Sequence, residues 1–328
     1  MTAQHEPNPA LHYVVGLSGG KDSIASYLHC SRDLQLPKVT GLFCDTGHEF
    51  DEVYAYLDLL ESEHGFVIHR IHATVGDIVD AKVIKADKAV ARLGLYDLDG
   101  GPMEGWRDVK VDMKRLSILK RRFPSTMVRF CTTLLKLAPS KRWMSQNCDE
   151  HTIRVSGVRA EESPSRAKQA QYEFDSYCGY MMWKPLFHWR HAEVFDIHAK
   201  YGVPPNPLYK QGMGRVGCAP CIMTNKTELA TIAKRKPEAF TKLHSMELEV
   251  AATVGKPVMS FFSNTKTPER FHSNLCERSN KTFPDAMDVM KWALGQDPRT
   301  ADQMQMFEQL DDEFEDVYAC TSQYGLCE

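Results

Sequence analysis

Val14-Val15-Gly16-Leu17-Ser18-Gly19-Gly20-Lys21-Asp22-Ser23 is the stretch on which the fold turns. The run that leads into it, from Leu11 to Leu17, is short and apolar, with the composition of a buried strand. A Ser-Gly-Gly turn breaks that run, and a helical pattern resumes from Lys21 to about Arg32. Two glycines remove the Cβ atoms that would crowd an approaching anion and allow positive φ. A helix start directs unpaired N–H groups at whatever occupies the turn. Ser18 and Ser23 add hydroxyl donors and Lys21 a cation, so the stretch predicts a cradle for a pyrophosphate group.

The next apolar run, Lys38 to Cys44, predicts a second buried strand ending at Asp45-Thr46-Gly47-His48-Glu49. Open α/β sheets bind ligands at that end of their strands. Asp51 to His64 predicts a helix with Val53, Tyr56, Leu57 and Leu60 on one face, and Phe66 to Ile71 a third strand. Strand, helix, strand, helix, strand in that order begins an α/β doubly wound parallel sheet. Farther along, Val75 to Leu93 predicts helix, Arg129 to Asn147 leads into another, and His151 to Val155 predicts a strand. The loop Ser156-Gly157-Val158-Arg159 through Ser165-Arg166 then brings two arginines, suited to bidentate phosphate contacts, to the side where the glycine turn opens. Tyr180 to Leu186 predicts an edge strand, and His191 to Tyr201 a helix. From Thr224 a helical pattern broken at Pro237 runs to about Val254, and periodicity weakens beyond it. This divides the chain into a flexible arm over 1–10, a nucleotide-binding domain over 11–222 and a mostly helical region over 223–328.

The chain has 328 residues and a net charge of −3, which argues against indiscriminate nucleic-acid binding. Two local basic clusters stand apart from that balance: Arg107, Lys110, Lys114, Arg115, Lys120, Arg121 and Arg122, and later Lys266, Arg270, Arg278 and Lys281. The first is either a solvated helix face or a contact surface for an anionic substrate such as a nucleic acid. No apolar run reaches membrane-span length and the start does not read as a signal peptide, so no membrane and a cytoplasmic location are expected. Ten cysteines then point to metal or redox chemistry for some of them. Cys218-Ala219-Pro220-Cys221 is the strongest candidate, open to zinc, a redox pair or a cluster. Cys30, Cys44, Cys148 and Cys178 lie in or beside apolar segments and are expected as small buried hydrophobes. His188-Trp189 and Tyr209 could stack on a base, although packing under the loop is the expectation.

Ser18–Ser23 is not a Walker A loop, which needs four residues between its glycines. It resembles the PP-loop of the ATP pyrophosphatases. Four stretches in order resemble the phosphoadenosine phosphosulfate reductase family in the broad sense that includes ATP-using sulfurtransferases and the ATP pyrophosphatase of DNA phosphorothioation. They are Ser18–Ser23, Asp45-Thr46-Gly47 with Glu52, Gly157–Arg166, and Lys184-Pro185-Leu186 through Asn206-Pro207-Leu208-Tyr209 to the Cys218–Cys221 turn. That resemblance implies an adenine nucleotide alpha hydrolase-like fold. ATP would lie with its phosphates on Ser18, Gly19, Gly20, Lys21, Asp22 and Ser23, and its adenosine along Asp45, Thr46 and Gly47, with Gly157 and Arg159 nearby. Lys21, Arg159 and Arg166 would stabilise charge, and Asp22 would hold Mg²⁺. It also implies that Cys131 joins Cys218 and Cys221, with Cys276 as fourth candidate, on a [4Fe–4S] cluster, with zinc as the alternative. Reductases of the family end in a Glu-Cys-Gly-Leu-His-like segment and carry a degenerate loop. Here the loop is intact and the end is Tyr324-Gly325-Leu326-Cys327. An ATP-dependent sulfurtransferase is therefore expected, supplied by a cysteine desulfurase or carrier and acting on a nucleotide or nucleic acid. Sulfite-releasing reduction through Cys327, a non-catalytic nucleotide sensor and a homodimer stay open.

Overall fold

The computed structural model describes residues 5–262, 267–276 and 281–296. The chain begins with β1 (His12–Leu17), α1 (Lys21–Leu28), β2 (Val39–Asp45), α2 (Asp51–His64) and β3 (Ile68–Thr74). Next come α3 (Val75–Asp80), α4 (Ala86–Leu93), β4 (Lys110–Val111) and α5 (Met113–Lys120). A continuous helical stretch follows, made of α6 (Phe130–Thr132), a wider turn over Thr133–Leu137 and α7 (Ala138–Asn147). After it lie β5 (Thr152–Val155), α8 (Pro164–Ala167), β6 (Tyr172–Asp175), β7 (Tyr180–Trp183) and α9 (His191–Lys200). The last described elements are α10 (Lys226–Arg235), α11 (Pro237–Val254), the hairpin β8 (Asn274–Cys276) and β9 (Lys281–Phe283), and α12 (Ala286–Ala293).

Seven strands form one sheet in the order β4-β3-β2-β1-β5-β7-β6. β1 pairs in parallel with β2 on one side and β5 on the other, with Tyr13 opposite both Val39 and Ile153. The chain therefore builds outward from β1 in one direction and later in the other. The split between β1 and β5 is the switch point at which such sheets open a crevice. Alternate residues of β1 serve opposite faces. Tyr13, Val15 and Leu17 join Ile24, Leu28, Val53 and Leu57 in a large apolar cluster, while Val14 packs with Leu42 and Ile71 against Trp143 of α7. Both faces are covered, which is why these strands read as continuous apolar runs. Phe240, Leu243 and Val250 of α11 and Val289 of α12 belong to the same large cluster.

Several elements differ from the sequence reading. The helix expected over 75–93 is two helices: Thr74 and Asp77 cap α3 reciprocally, and Lys82, at φ +56, turns the chain before α4. The strand expected at the edge, β7, lies inside the sheet, because β6 folds back antiparallel and takes the outer position. Pro185 sits just past β7, so no ladder hydrogen bond is lost. β4 went unread, since two residues of strand leave no alternation to detect.

Candidate active site at the strand ends

Leu17 delivers the chain to a turn that only glycine could make. Gly19 has φ +73, and a Cβ there would meet Val53 Cγ1 at 2.9 Å. From the far side of the switch point, Gly157 presses against the first turn of α1, where a Cβ would lie 2.8 Å from the Asp22 carbonyl. The two serines brace the turn: Ser23 Oγ donates to Gly20 O at 2.8 Å and accepts from Ser18 N at 3.2 Å. Gly20 caps α1 without a side-chain bond, which leaves the helix start to other partners.

Behind the turn lies a chain of charges that starts buried at Lys21 and ends exposed at Glu161. Asp22 Oδ2 is 3.2 Å from Lys21 Nζ, and Asp22 Oδ1 accepts from Arg159 Nε at 2.7 Å. Arg159 also donates to Glu161 at 2.7 Å. Burial pushes the Asp22 carboxyl up, but Lys21 and Arg159 together outweigh it and hold the group below its usual range. Both carboxylate oxygens of Asp22, the residue expected to hold Mg²⁺, thus have a cation beside them, and each keeps a second lone pair. Arg166 is placed differently: it lies on α8, half exposed, and pairs with Glu162.

At the end of β2 the Asp45-Thr46-Gly47 turn is knitted by its neighbours. Asp45 Oδ1 accepts from Gly47 N at 2.8 Å and from Tyr54 at 2.7 Å, while Lys110 of β4 pairs with the other oxygen. Glu49 accepts from the Thr46 hydroxyl at 2.6 Å and from His48 N at 3.1 Å. The same segment carries the thiol turn: Ala219 N donates to His48 O at 2.8 Å, and His48 Nε2 donates to Pro220 O at 3.0 Å. On its other flank, Asn206 Nδ2 donates to Gly19 O at 3.3 Å.

The Cys218 thiol donates to the Cys221 sulfur, and this bond holds Cys221 down to about 6 while it and burial push Cys218 up. Cys131 stands near enough to Cys218 for their charges to interact, and burial raises its thiol. Among the described residues no three His, Cys, Asp or Glu side chains are gathered to hold a metal ion, so the set Cys131, Cys218 and Cys221 does not close around a cluster or zinc in this arrangement. Cys276 is in β8, and its side chain lies outside the described residues, as do Lys266, Arg278 and Cys327. Cys30 and Cys178 are buried, but Cys44 is only half-buried, with Sγ 3.2 Å from Ser140 Oγ. Cys148 is also half-buried.

Lys136 was not singled out from the sequence. It follows Cys131 by one helical turn and a residue, a spacing that reads as an ordinary helix lysine. The fold turns it into a cavity of about 170 Å³ shared with Ser18, Cys44, Glu49, Arg154 and Gly217. Cys218 raises its ammonium against burial, and Glu49 and Cys44 add to the effect. The basic run is largely spent on internal partners: Arg107 with Asp80, Lys114 with Glu249 at 2.8 Å, Arg121 with the Val254 carbonyl, and Lys120 over Phe130. Trp189 packs edge-on against His29.

A family model described as the phosphoadenosine phosphosulfate reductase domain matches residues 12–90 and 107–224. An uncharacterised 37.8 kDa protein of Escherichia phage 186 is 35% identical over 80% of this chain and 82% of its own length. The adenosine 5'-phosphosulfate reductase of Rhodococcus erythropolis is 28% identical over 56% of this chain, which spans 59% of that relative's length. Among solved structures, the phosphoadenylyl-sulfate reductase of Candida auris aligns over 63% of this chain and 81% of its own, with 16% identity and a TM-score of 0.39. No described helix is long and apolar enough to cross a membrane. With the family model covering both flanks of the crevice, from the glycine turn to the thiol pair, the chain belongs to the phosphoadenosine phosphosulfate reductase family.

Proposed function

We propose that the chain is an ATP pyrophosphatase that adenylates its substrate for sulfur transfer to a nucleotide or nucleic acid. The observation that carries this is the intact Ser18–Ser23 loop with Lys21, Asp22 and Arg159 gathered at the start of α1. An oxygen of the acceptor attacks the α phosphorus of ATP, the bond to the β-phosphate oxygen breaks, and pyrophosphate leaves. Lys21 and Arg159 move their charge from Asp22 onto the departing phosphates, where negative charge grows. A persulfide-class donor, a cysteine desulfurase or carrier, then attacks with its terminal sulfur, so that a C–S bond forms as the C–O bond to AMP breaks, and a thiol reductant cleaves the disulfide left to the donor and frees the thiolated acceptor. Lys136 and Gly217 line the cavity beside the loop, and Cys218 is the next residue in the chain.

Pyrophosphate release with ATP, Mg²⁺ and a panel of nucleotide and nucleic-acid acceptors tests this directly. No pyrophosphate from any acceptor defeats it. A second reading draws on the relatives named adenosine 5'-phosphosulfate reductase. It expects sulfite from a sulfonucleotide with thioredoxin as reductant, and loss of that activity in Cys327→Ser. Iron and zinc content after purification without oxygen reads which metal, if either, the three thiols take.

A further inference from the structure

The segment that carries the thiol turn also reaches into the glycine loop. Tyr209, from the short turn Pro207–Tyr209, is 8% exposed, and its hydroxyl accepts from Lys21 N at 3.0 Å. Lys21 is the first residue of α1, so this N–H is one of those a helix start leaves without an internal partner. A hydroxyl both accepts and donates. Among the described residues the hydrogen of this one has no acceptor. A buried donor left unused is costly, which marks a position that an arriving acceptor would complete. The hydroxyl also stands at the mouth of the turn, 3.4 Å from where a Cβ on Gly20 would sit, and Lys21 Nζ lies 5.5 Å from the ring centre.

We propose that Tyr209 is a phosphate-binding residue. It accepts from the helix start and donates its own hydrogen to an oxygen of the bound pyrophosphate group, passing the polarity of α1 to the anion through a hydroxyl. This rests on the reading of the loop as a nucleotide cradle and deepens it. The donor belongs to the chain segment that continues through Val216 and Gly217 to Cys218, so an anion on the loop is felt at the thiol pair. Val216 O is itself 3.6 Å from that same Gly20 position.

The test uses the full chain with inorganic pyrophosphate and ATP as probes. Tyr209→Phe keeps the ring and its packing near Phe195, centroid to centroid 6.4 Å. Loss of a hydrogen bond to a charged group weakens binding of both probes about tenfold or more by calorimetry, with the melting temperature little changed. In the wild type, pyrophosphate slows alkylation of Cys218 and Cys221; in Tyr209→Phe, at saturating pyrophosphate, it does not. A merely structural tyrosine would leave that protection in place. Equal pyrophosphate affinity in the two proteins overturns the proposal. Should the variant not fold, 3-fluorotyrosine at position 209 decides, since a ¹⁹F resonance unmoved by pyrophosphate also overturns it. A wild-type chain that binds neither probe is a separate result, which brings down the nucleotide reading itself.

Discussion

Lys21 and Lys136 are two lysines at one crevice, and they keep opposite company. Lys21 sits in a closed set of charges, with Asp22 beside it and Arg159 and Glu161 beyond. Lys136 faces sulfur: its strongest neighbour is Cys218, then Glu49 and Cys44. The first cation is balanced by a carboxylate that a phosphate group can replace, like for like. The second faces thiols whose ionisation it favours. On the function proposed above, one crevice holds a place for exchanging anions beside a lysine that faces a thiol pair.

If that division is right, Lys21→Met has the largest effect. It removes a cation from the phosphates as their charge develops, and a loss of this kind lowers turnover about 10²–10³-fold. Pyrophosphate release measures it, and an equal loss from Lys136→Met would erase the distinction between the two lysines. Arg159→Ala comes next. Its side chain is 4% exposed and tied to Asp22 and Glu161. Breaking a buried pair costs about 3 kcal/mol, read as a lower urea midpoint. A midpoint unchanged in that variant would mean the charges behind the turn are not held as a set.

The left half of the sheet and the glycine turn were legible because local rules suffice for them. β1, α1, β2 and α2 each show their apolar period, and α2 runs over Asp51–His64 as read. The thiol side was harder, because its partners come from distant segments. Nothing near Cys218 in sequence announces Lys136, Glu49 or His48: the bridge between Glu49 and Cys218 brings the last two there, and the helical turn over Thr133–Leu137 brings Lys136. Tyr209 could be weighed as packing or as a binding group. In the structure it is buried and also hydrogen-bonded to the loop, and no spacing rule predicts that its hydroxyl meets Lys21 N. β6 was missed because a short strand with half-buried residues has no clean alternation, and its absence put β7 at the wrong place in the sheet.

Smaller effects sharpen the contrast at the thiol turn. The first cause of the low Cys221 value is the Cys218 bond, with Lys136 a lesser influence. Cys218→Ala should therefore return Cys221 from about 6 toward the ordinary thiol range near 8.5, and Lys136→Met should move it less in the same direction. The pH dependence of alkylation at Cys221 reads both. The reverse order would make the lysine, rather than the neighbouring thiol, the group that sets this sulfur.

The two lysine sites should also differ in which end of the pH scale loosens them, and this is the finest test. Asp22 has its carboxyl lowered from 3.8 in the folded chain, so the stability it gives is complete above 3.8 and is lost as pH falls through the folded value. Lys136 has its ammonium raised from 10.5, so its contribution is complete below 10.5 and is lost as pH rises through the folded value. Urea midpoints followed against pH for wild type, Asp22→Asn and Lys136→Met separate them. The aspartate variant should differ from wild type least at the acid end, and the lysine variant least at the alkaline end. Both differences shrinking at the same end would mean that the cradle and the thiol turn share one electrostatic unit, and the two halves of the crevice would then have to be treated as a single site.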